Sequence, residues 1–245
     1  MKSLFQRRRP DPPQTPAAPA PKTARSRARP SPTSEEFLGA YFGADDALTI
    51  FDVGAHHGQS ARKYAGMFPN AKIYSFEPFP ESFAILSALE IDRLTPVDLG
   101  LSSEERTETF QVNAGSATNS LLPLSENAKT TWGGNKGLEA LEEVACRFTT
   151  LDAFMAREGL KRIDFMKLDV QGAEFKVLEG AKATLGAQRI GLIQMEIILG
   201  DTYAAQKPFS YYLDQLAHHG YRLRMVSDLV VVEGQLVQMD AFFEA

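Results

Sequence analysis

The chain has 245 residues, 44% hydrophobic and 23% charged, with a net charge of −5, which suits one α/β domain with a buried core and excludes a second full domain. Residues 1–33 carry eight Lys and Arg against the single acid Asp11, about +7, leaving roughly −12 on the remainder. So acidic a body excludes a broad nucleic-acid-binding face, which needs clustered cations against phosphate, and the lone Cys146 excludes an intrachain disulfide or a cysteine-based metal site.

The first 33 residues read as a basic, Pro-rich, disordered tail, because Pro10, Pro12, Pro13, Pro16 and Pro19 prevent helix and little apolar surface is available to bury. Arg7-Arg8-Arg9 lacks the apolar segment that an export signal requires, so a cytoplasmic protein is expected. The domain is predicted over 34–245, with Ser34 as the N-cap of a short helix. Strand Leu48–Val53 leads through Gly54–Gly58 into helix Gln59–Met67, ended by Pro69-Asn70. Strand Lys72–Glu77, helix Glu81–Glu90 and strand Thr95–Ser102 follow, with an additional strand at Thr107–Val112. Asn113–Gly137 reads as a long functional loop. Next come a short strand Arg147–Thr150, helix Leu151–Glu158 capped by Thr150, strand Asp164–Val170, helix Ala173–Leu185, strand Gly191–Ile198 and helix Phe209–His219. Arg222–Val226, Leu229–Val232 and Leu236–Phe243 read as terminal strands, with a tight turn at Glu233-Gly234. This alternation predicts a doubly wound, mostly parallel sheet. The longest apolar run, Ile190–Leu199, is about half the length needed to span a membrane and contains Gln194 and Glu196, so no transmembrane segment is expected.

The chemistry gathers where strands run into helices. Asp52-Val53-Gly54-Ala55-His56-His57-Gly58 stands where a nucleotide-like cofactor meets a doubly wound sheet, Gly54 permitting a tight turn and Gly58 a close helix start. Glu77, about 23 residues after Gly54, ends the next strand, where a carboxylate can accept from both ribose hydroxyls. Asp52 discriminates between ligands. A pyrophosphate wants free N–H groups and little negative charge, whereas the sulfonium and amino group of S-adenosylmethionine are cationic. His56 also replaces the second glycine of G-x-G-x-x-G. S-adenosylmethionine is therefore favoured over NAD. Asp169, in Lys167-Leu168-Asp169-Val170-Gln171-Gly172-Ala173-Glu174, is expected beside the first strand facing the reaction site. Glu196 interrupts an apolar strand, costly unless it meets a cleft or a partner. The alternative for both is a strand-end carboxylate that caps the next helix or pairs with Lys167. Asn119 and Ser120 are candidate substrate-binding residues on the long loop, with a plain turn as the alternative. Trp132 is a loop anchor or a sugar platform, and Tyr203, Tyr211 and Tyr212 read as packing residues.

Together these segments, with Ser75-Phe76-Glu77-Pro78-Phe79-Pro80, Thr118-Asn119-Ser120-Leu121, Thr150-Leu151-Asp152, Lys167 through Gly180 and Gln238-Met239-Asp240-Ala241-Phe242-Phe243, resemble the FkbM family of methyltransferases from about residue 48 to the end. The resemblance implies a Rossmann-like class I methyltransferase fold with an antiparallel C-terminal strand, and O-methylation of sugars or other hydroxylated metabolites. Two positions depart from it: His56, where Asn or Gly is common, and Gln171, where Glu is usual. The reaction so implied is attack of an acceptor hydroxyl on the sulfonium methyl, its proton passing to a carboxylate or imidazole. Asp169 is the first candidate, with Glu196 and His57 behind it. Cofactor contacts are expected from Asp52, Gly54, His56, Gly58, Glu77 and Asp169, the acceptor is a small molecule or glycan, and no metal is expected. An NAD(P)-dependent oxidoreductase and a non-catalytic cofactor-binding scaffold are the alternatives; no Tyr-x-x-x-Lys pair supports the first.

Overall fold

The computed structural model describes residues 32–113, 120–128 and 140–245. The tail up to residue 31, together with Asn119 and Trp132, lies outside them. Helix α1 (Ser34–Tyr41) is capped by Thr33, not by Ser34 as its sequence suggested: the Thr33 hydroxyl accepts from Glu36 N and Glu36 reaches back to Thr33 N, a reciprocal capping box. Ser34 is instead buried against Ser227 and Asp228. The folded body therefore includes Thr33.

Seven strands form the main sheet in the order β3-β2-β1-β7-β8-β10-β9. They are β1 (Thr49–Val53), β2 (Lys72–Phe76), β3 (Leu94–Val97), β7 (Ile163–Leu168), β8 (Ile190–Ile198), β9 (Arg222–Val232) and β10 (Gln235–Glu244). The first five are parallel, and β10 enters between β8 and β9, antiparallel to both. The β9–β10 hairpin turns through Glu233 (φ 50°) and Gly234 (φ 82°), the left-handed pair that matches strand twist.

The helices lie on both faces, as the two-residue alternation of the strands requires. Ile50, Ile73, Phe165, Leu192 and Phe242 pack with Leu38 of α1 and Ala61 and Tyr64 of α2 (Gln59–Met67). Phe51, Tyr74, Met166, Ile193 and Met195 pack on the other face with α4 (Leu151–Arg157), α5 (Glu174–Glu179), α6 (Lys182–Gly186) and α7 (Phe209–His218). Between β2 and β3 runs α3 (Pro80–Ser87), with Pro80 in its first turn, where the missing N–H costs nothing.

Three expectations are corrected. Thr95–Ser102 divides into β3 and the separate β4 (Gly100–Leu101), which joins β5 (Arg106–Asn113) and β6 (Ala140–Thr149) in a three-stranded sheet, β4-β6-β5. The short strand expected at Arg147–Thr150 is the end of the ten-residue β6. The helix expected over Ala173–Leu185 is two helices, because Gly180 lies against Ser102, where a Cβ would come 2.0 Å from the carbonyl oxygen. Asp152 then caps α6, accepting from Ala183 N (2.9 Å) and Thr184 N (2.9 Å).

Candidate active site

The strand order reverses between β1 and β7, the point at which open α/β sheets bind ligands. The two strand ends touch there. Asp169 N donates to Val53 O (3.0 Å), and Gly54, with φ 85°, passes so close that a Cβ would sit 1.9 Å from Asp169 O. Glycine is required at 54 for both its angle and its bareness.

Four N–H groups of the turn after β1 are used internally. Gly54 N and Ala55 N donate to Phe76 O, Gly58 N donates to Ala55 O, and His56 N donates to Glu77 Oε2 (2.8 Å). Glu77 Oε1 accepts from Phe79 N (2.9 Å), so this carboxyl ties the turns after β1 and β2 together. Burial pushes it up to about 7, against those two N–H groups. Glu174 does the same for the turn after β7, accepting from Val170 N (3.0 Å) and Gly172 N (3.3 Å); burial pushes it up to about 7 as well.

A cleft of about 350 Å³ opens above these turns, within the range of small-ligand sites. Phe76, Phe79, Leu101 and Phe148 make an apolar side; Glu77, Asp169 and Glu196 contribute carboxyl groups, and Lys167, Gln171, Gln59 and Ser60 add to the polar lining. Lys167 Nζ binds Asp169 Oδ2 (2.7 Å). Gln171 Nε2 donates to Asp169 Oδ1 (2.9 Å) and Glu196 Oε2 (2.8 Å), and Gln238 Nε2 donates to Glu196 Oε1 (2.7 Å). Burial pushes Asp169 up, but Lys167 and the hydrogen bonds outweigh it and hold the carboxyl below its ordinary range. Burial, then the Asp169 and Glu174 charges, lift Glu196 well above its own. One carboxyl of the pair is thus ionised and its neighbour favours the proton, the separation that two adjacent acids reach when their surroundings differ.

Of the residues singled out in the sequence, Gly54, His56, Glu77, Ser120, Asp169 and Glu196 line this cleft. Asp52, His57 and Gly58 do not. Asp52 is fully buried beneath the turn, with Ser75 Oγ donating to Oδ2 (3.3 Å) and no hydrogen-bond partner on Oδ1. Gly58 is bare to admit Leu86 and Leu89, whose methyl carbons would lie 2.9 and 2.4 Å from a Cβ. His57 stacks on His56 at 3.7 Å; burial, then the neighbouring His57, lower the His56 pKa. The Ser120 hydroxyl is committed to Gln171 O (2.6 Å) and Leu122 N (3.0 Å). Sequence reasoning passed over Leu101 and Phe148 and gave Phe79 and Gln238, quoted only as parts of matching segments, no role; their places arise from contacts between distant segments. Gln171 did carry a signal, as a departure from the Glu usual at that position.

A glycine turn and a carboxyl pair at the switch point of a β3-β2-β1-β7-β8-β10-β9 sheet define a Rossmann-like α/β protein with its ligand site at the carboxyl ends of the strands. The chain matches the methyltransferase FkbM domain over residues 52–223 and belongs to that family. It is 27% identical to the 2-O-methyltransferase NoeI of Sinorhizobium fredii over 172 residues, which cover 68% of this chain and 70% of that protein. It is 28% identical over 210 residues to the AMB antimetabolite synthetase AmbE of Pseudomonas aeruginosa, 74% of this chain but 10% of that one. The methyltransferase sdnD of Sordaria araneosa is 30% identical over 153 residues, 54% of this chain and 59% of the relative.

Proposed function

We propose that the protein transfers a methyl group from S-adenosylmethionine to a hydroxyl of a sugar, glycan or other hydroxylated small molecule. The carrying observation is the turn after β1. The N–H groups of Gly54, Ala55, His56 and Gly58 all donate within the protein, leaving them no free donor for a pyrophosphate, which is held by just such groups. The donor set suits S-adenosylmethionine instead, with carboxyl groups for its cationic end and an apolar, aromatic side for its purine. Glu77 would offer its remaining lone pairs to ribose hydroxyls, and Asp169 would face the reacting end. The relative whose name specifies 2-O-methylation supports an oxygen acceptor.

When bound, the cofactor supplies an activated methyl on a cationic sulfur, so the protein's work is positioning, exclusion of water and removal of one proton. The Asp169 side chain is 28% exposed. Its oxygens hold Lys167 and Gln171 and retain lone pairs with which to accept the acceptor's O–H, orient it, and take its proton as the new O–C bond forms. Lys167 keeps Asp169 ionised for that purpose. Glu196 stands behind it, its carboxyl held above the ordinary range by burial and by the Asp169 and Glu174 charges.

The test is a mass-spectrometric assay for S-adenosylhomocysteine release over a panel of hydroxylated sugars and metabolites, with Asp169→Asn beside the native protein. Asp169→Asn is expected to lower turnover by roughly 10²-fold or more with cofactor affinity nearly unchanged. Near-normal turnover in this variant would remove the proposed role and leave Glu196 as the candidate.

A further inference from the structure

We infer that Gln171 is a positioning residue, whose amide, oriented by Tyr203, fixes the Asp169 and Glu196 carboxyl groups relative to one another. Tyr203 thereby supports the reaction from outside the cleft. The inference deepens the proposed methyl transfer and rests on it for its catalytic consequence, while the geometry stands by itself.

A primary amide presents two N–H donors at one end and an acceptor at the other. Gln171 Nε2 has one carboxyl oxygen at 2.9 Å, on Asp169, and another at 2.8 Å, on Glu196, so each N–H serves one acid. Its Oε1 accepts the Tyr203 hydroxyl at 3.0 Å. Reversing the amide would turn its oxygen toward two acids and its N–H groups toward a phenol, so the Tyr203 hydroxyl selects the useful orientation.

The backbone is held as firmly. Gln171 has φ 55°, a left-handed conformation that is costly for a non-glycine residue and persists where its surroundings impose it. Ser120 Oγ grips its carbonyl at 2.6 Å. Tyr203 is 2% exposed, its ring 3.0 Å from where a Cβ on Gly172 would be, and its own N–H donates to Gln206 Oε1 (2.8 Å). Gln206 Nε2 in turn donates to Ile198 O (3.1 Å) and Gly200 O (2.7 Å), and Leu124 bridges to Tyr203 from the segment that carries Ser120. The loop after β8 is thus a frame around the tyrosine. Gln238 braces the far oxygen of Glu196 and Lys167 the far oxygen of Asp169.

The other charged or titratable groups acting on the pair are Asp52 on β1, His56 in the turn after it, Glu174 on α5, Asp240 on β10 and Tyr203 itself. A hydrogen bond from Gln171 favours the ionised form of Asp169, so losing the oriented amide should move that carboxyl upward.

The test is a carboxyl ¹³C NMR titration of Asp169 and Glu196 in the native chain, in Tyr203→Phe, which keeps the ring, and in Gln171→Met, which keeps the length but removes both donors. Calorimetry with S-adenosylhomocysteine and a thermal melt accompany it. The Asp169 midpoint should rise by roughly 0.5–1 pH unit in Tyr203→Phe and by at least as much in Gln171→Met. S-adenosylhomocysteine affinity should stay within roughly threefold, and the pH profile of kcat for any acceptor found should move the same way. If Gln171→Met does not fold, Tyr203→Phe decides. Unmoved carboxyl titrations in Tyr203→Phe, with or without a lower melting temperature, would mean that the tyrosine is packing alone and would overturn the inference. Displaced titrations without methyl transfer to any acceptor would count against the proposed function and leave the positioning role standing.

Discussion

Gly54 concentrates two demands in one residue. Its left-handed φ and its approach to the Asp169 carbonyl mean that Gly54→Ala both strains the backbone and pushes β1 from β7 at the ligand site. This variant should lose at least roughly 2 kcal/mol of stability, read as a clearly lowered melting temperature, and should bind S-adenosylhomocysteine far more weakly. A native-like melt with native affinity would show that the strand ends do not meet as described. The need for Gly54 was legible in the sequence, because a glycine ending an apolar strand has few other uses. The reason for Gly58 was not: its bareness serves Leu86 and Leu89, and nothing local identifies those neighbours. Glu77 was legible as a strand-end acid, but its second task of tying two turns through His56 N and Phe79 N depends on contacts that spacing alone does not specify. Asp52 was placed on its strand, but its complete burial was not legible: the alternation of β1 turns it under α2, away from the residues that line the cleft.

At the level of elements, the alternation of strands and helices in the main sheet was readable because each strand is an apolar run bounded by Gly, Pro or polar residues. The break between α5 and α6 was hidden. Residues 173–185 keep helical spacing, and the break comes from Ser102 pressing on Gly180 and from Asp152, which reaches over from α4 to cap α6. Thr184 Oγ1 also donates to that carboxylate, at 2.6 Å. Removing a cap of this kind costs about 1–2 kcal/mol. Asp152→Ala should therefore lower the unfolding free energy by that amount, read as a lower urea midpoint at unchanged slope, with cofactor affinity kept, and an unchanged midpoint would mean that α6 does not depend on the cap. Of the β4-β6-β5 sheet, β5 and the end of β6 were legible as strands, whereas β4 and the pairing of the three were hidden, since a two-residue strand carries no periodic signal.

Across the whole molecule, one face of the sheet carries a polar row just below its carboxyl edge. Ser75, Asp52, Lys167 and Gln194 are register neighbours on β2, β1, β7 and β8, and Asp240 Oδ2 accepts from Gln194 Nε2 (2.5 Å). Asp169 and Glu196 stand one step further along, at the cleft. Burial pushes the carboxyls of Glu77 and Glu174 up to about 7 and that of Asp240 up to about 6. Each native pKa lies above its unfolded value, so the stabilising contribution is present below the ordinary carboxylate range and is lost as pH rises through 6–7. Asp169 is shifted the other way; its contribution is present above its ordinary range and lost in stronger acid, outside that window. The melting temperature of the unliganded protein is accordingly expected to fall by at least roughly 3 °C between pH 5.5 and 8, and less steeply in Glu77→Gln. A flat or rising profile would show that these carboxyls are not held above their ordinary range.

The central claim, that the switch-point cleft is built for S-adenosylmethionine, is tested most directly by isothermal titration calorimetry of the full chain at neutral pH. S-adenosylhomocysteine and NAD would be compared under identical conditions. The turn without free donors at Gly54, Ala55, His56 and Gly58, and the carboxyl groups beside it, lead to saturable binding of S-adenosylhomocysteine with a dissociation constant on the order of micromolar and no measurable heat from NAD. Saturable heat from NAD with none from S-adenosylhomocysteine would contradict the account.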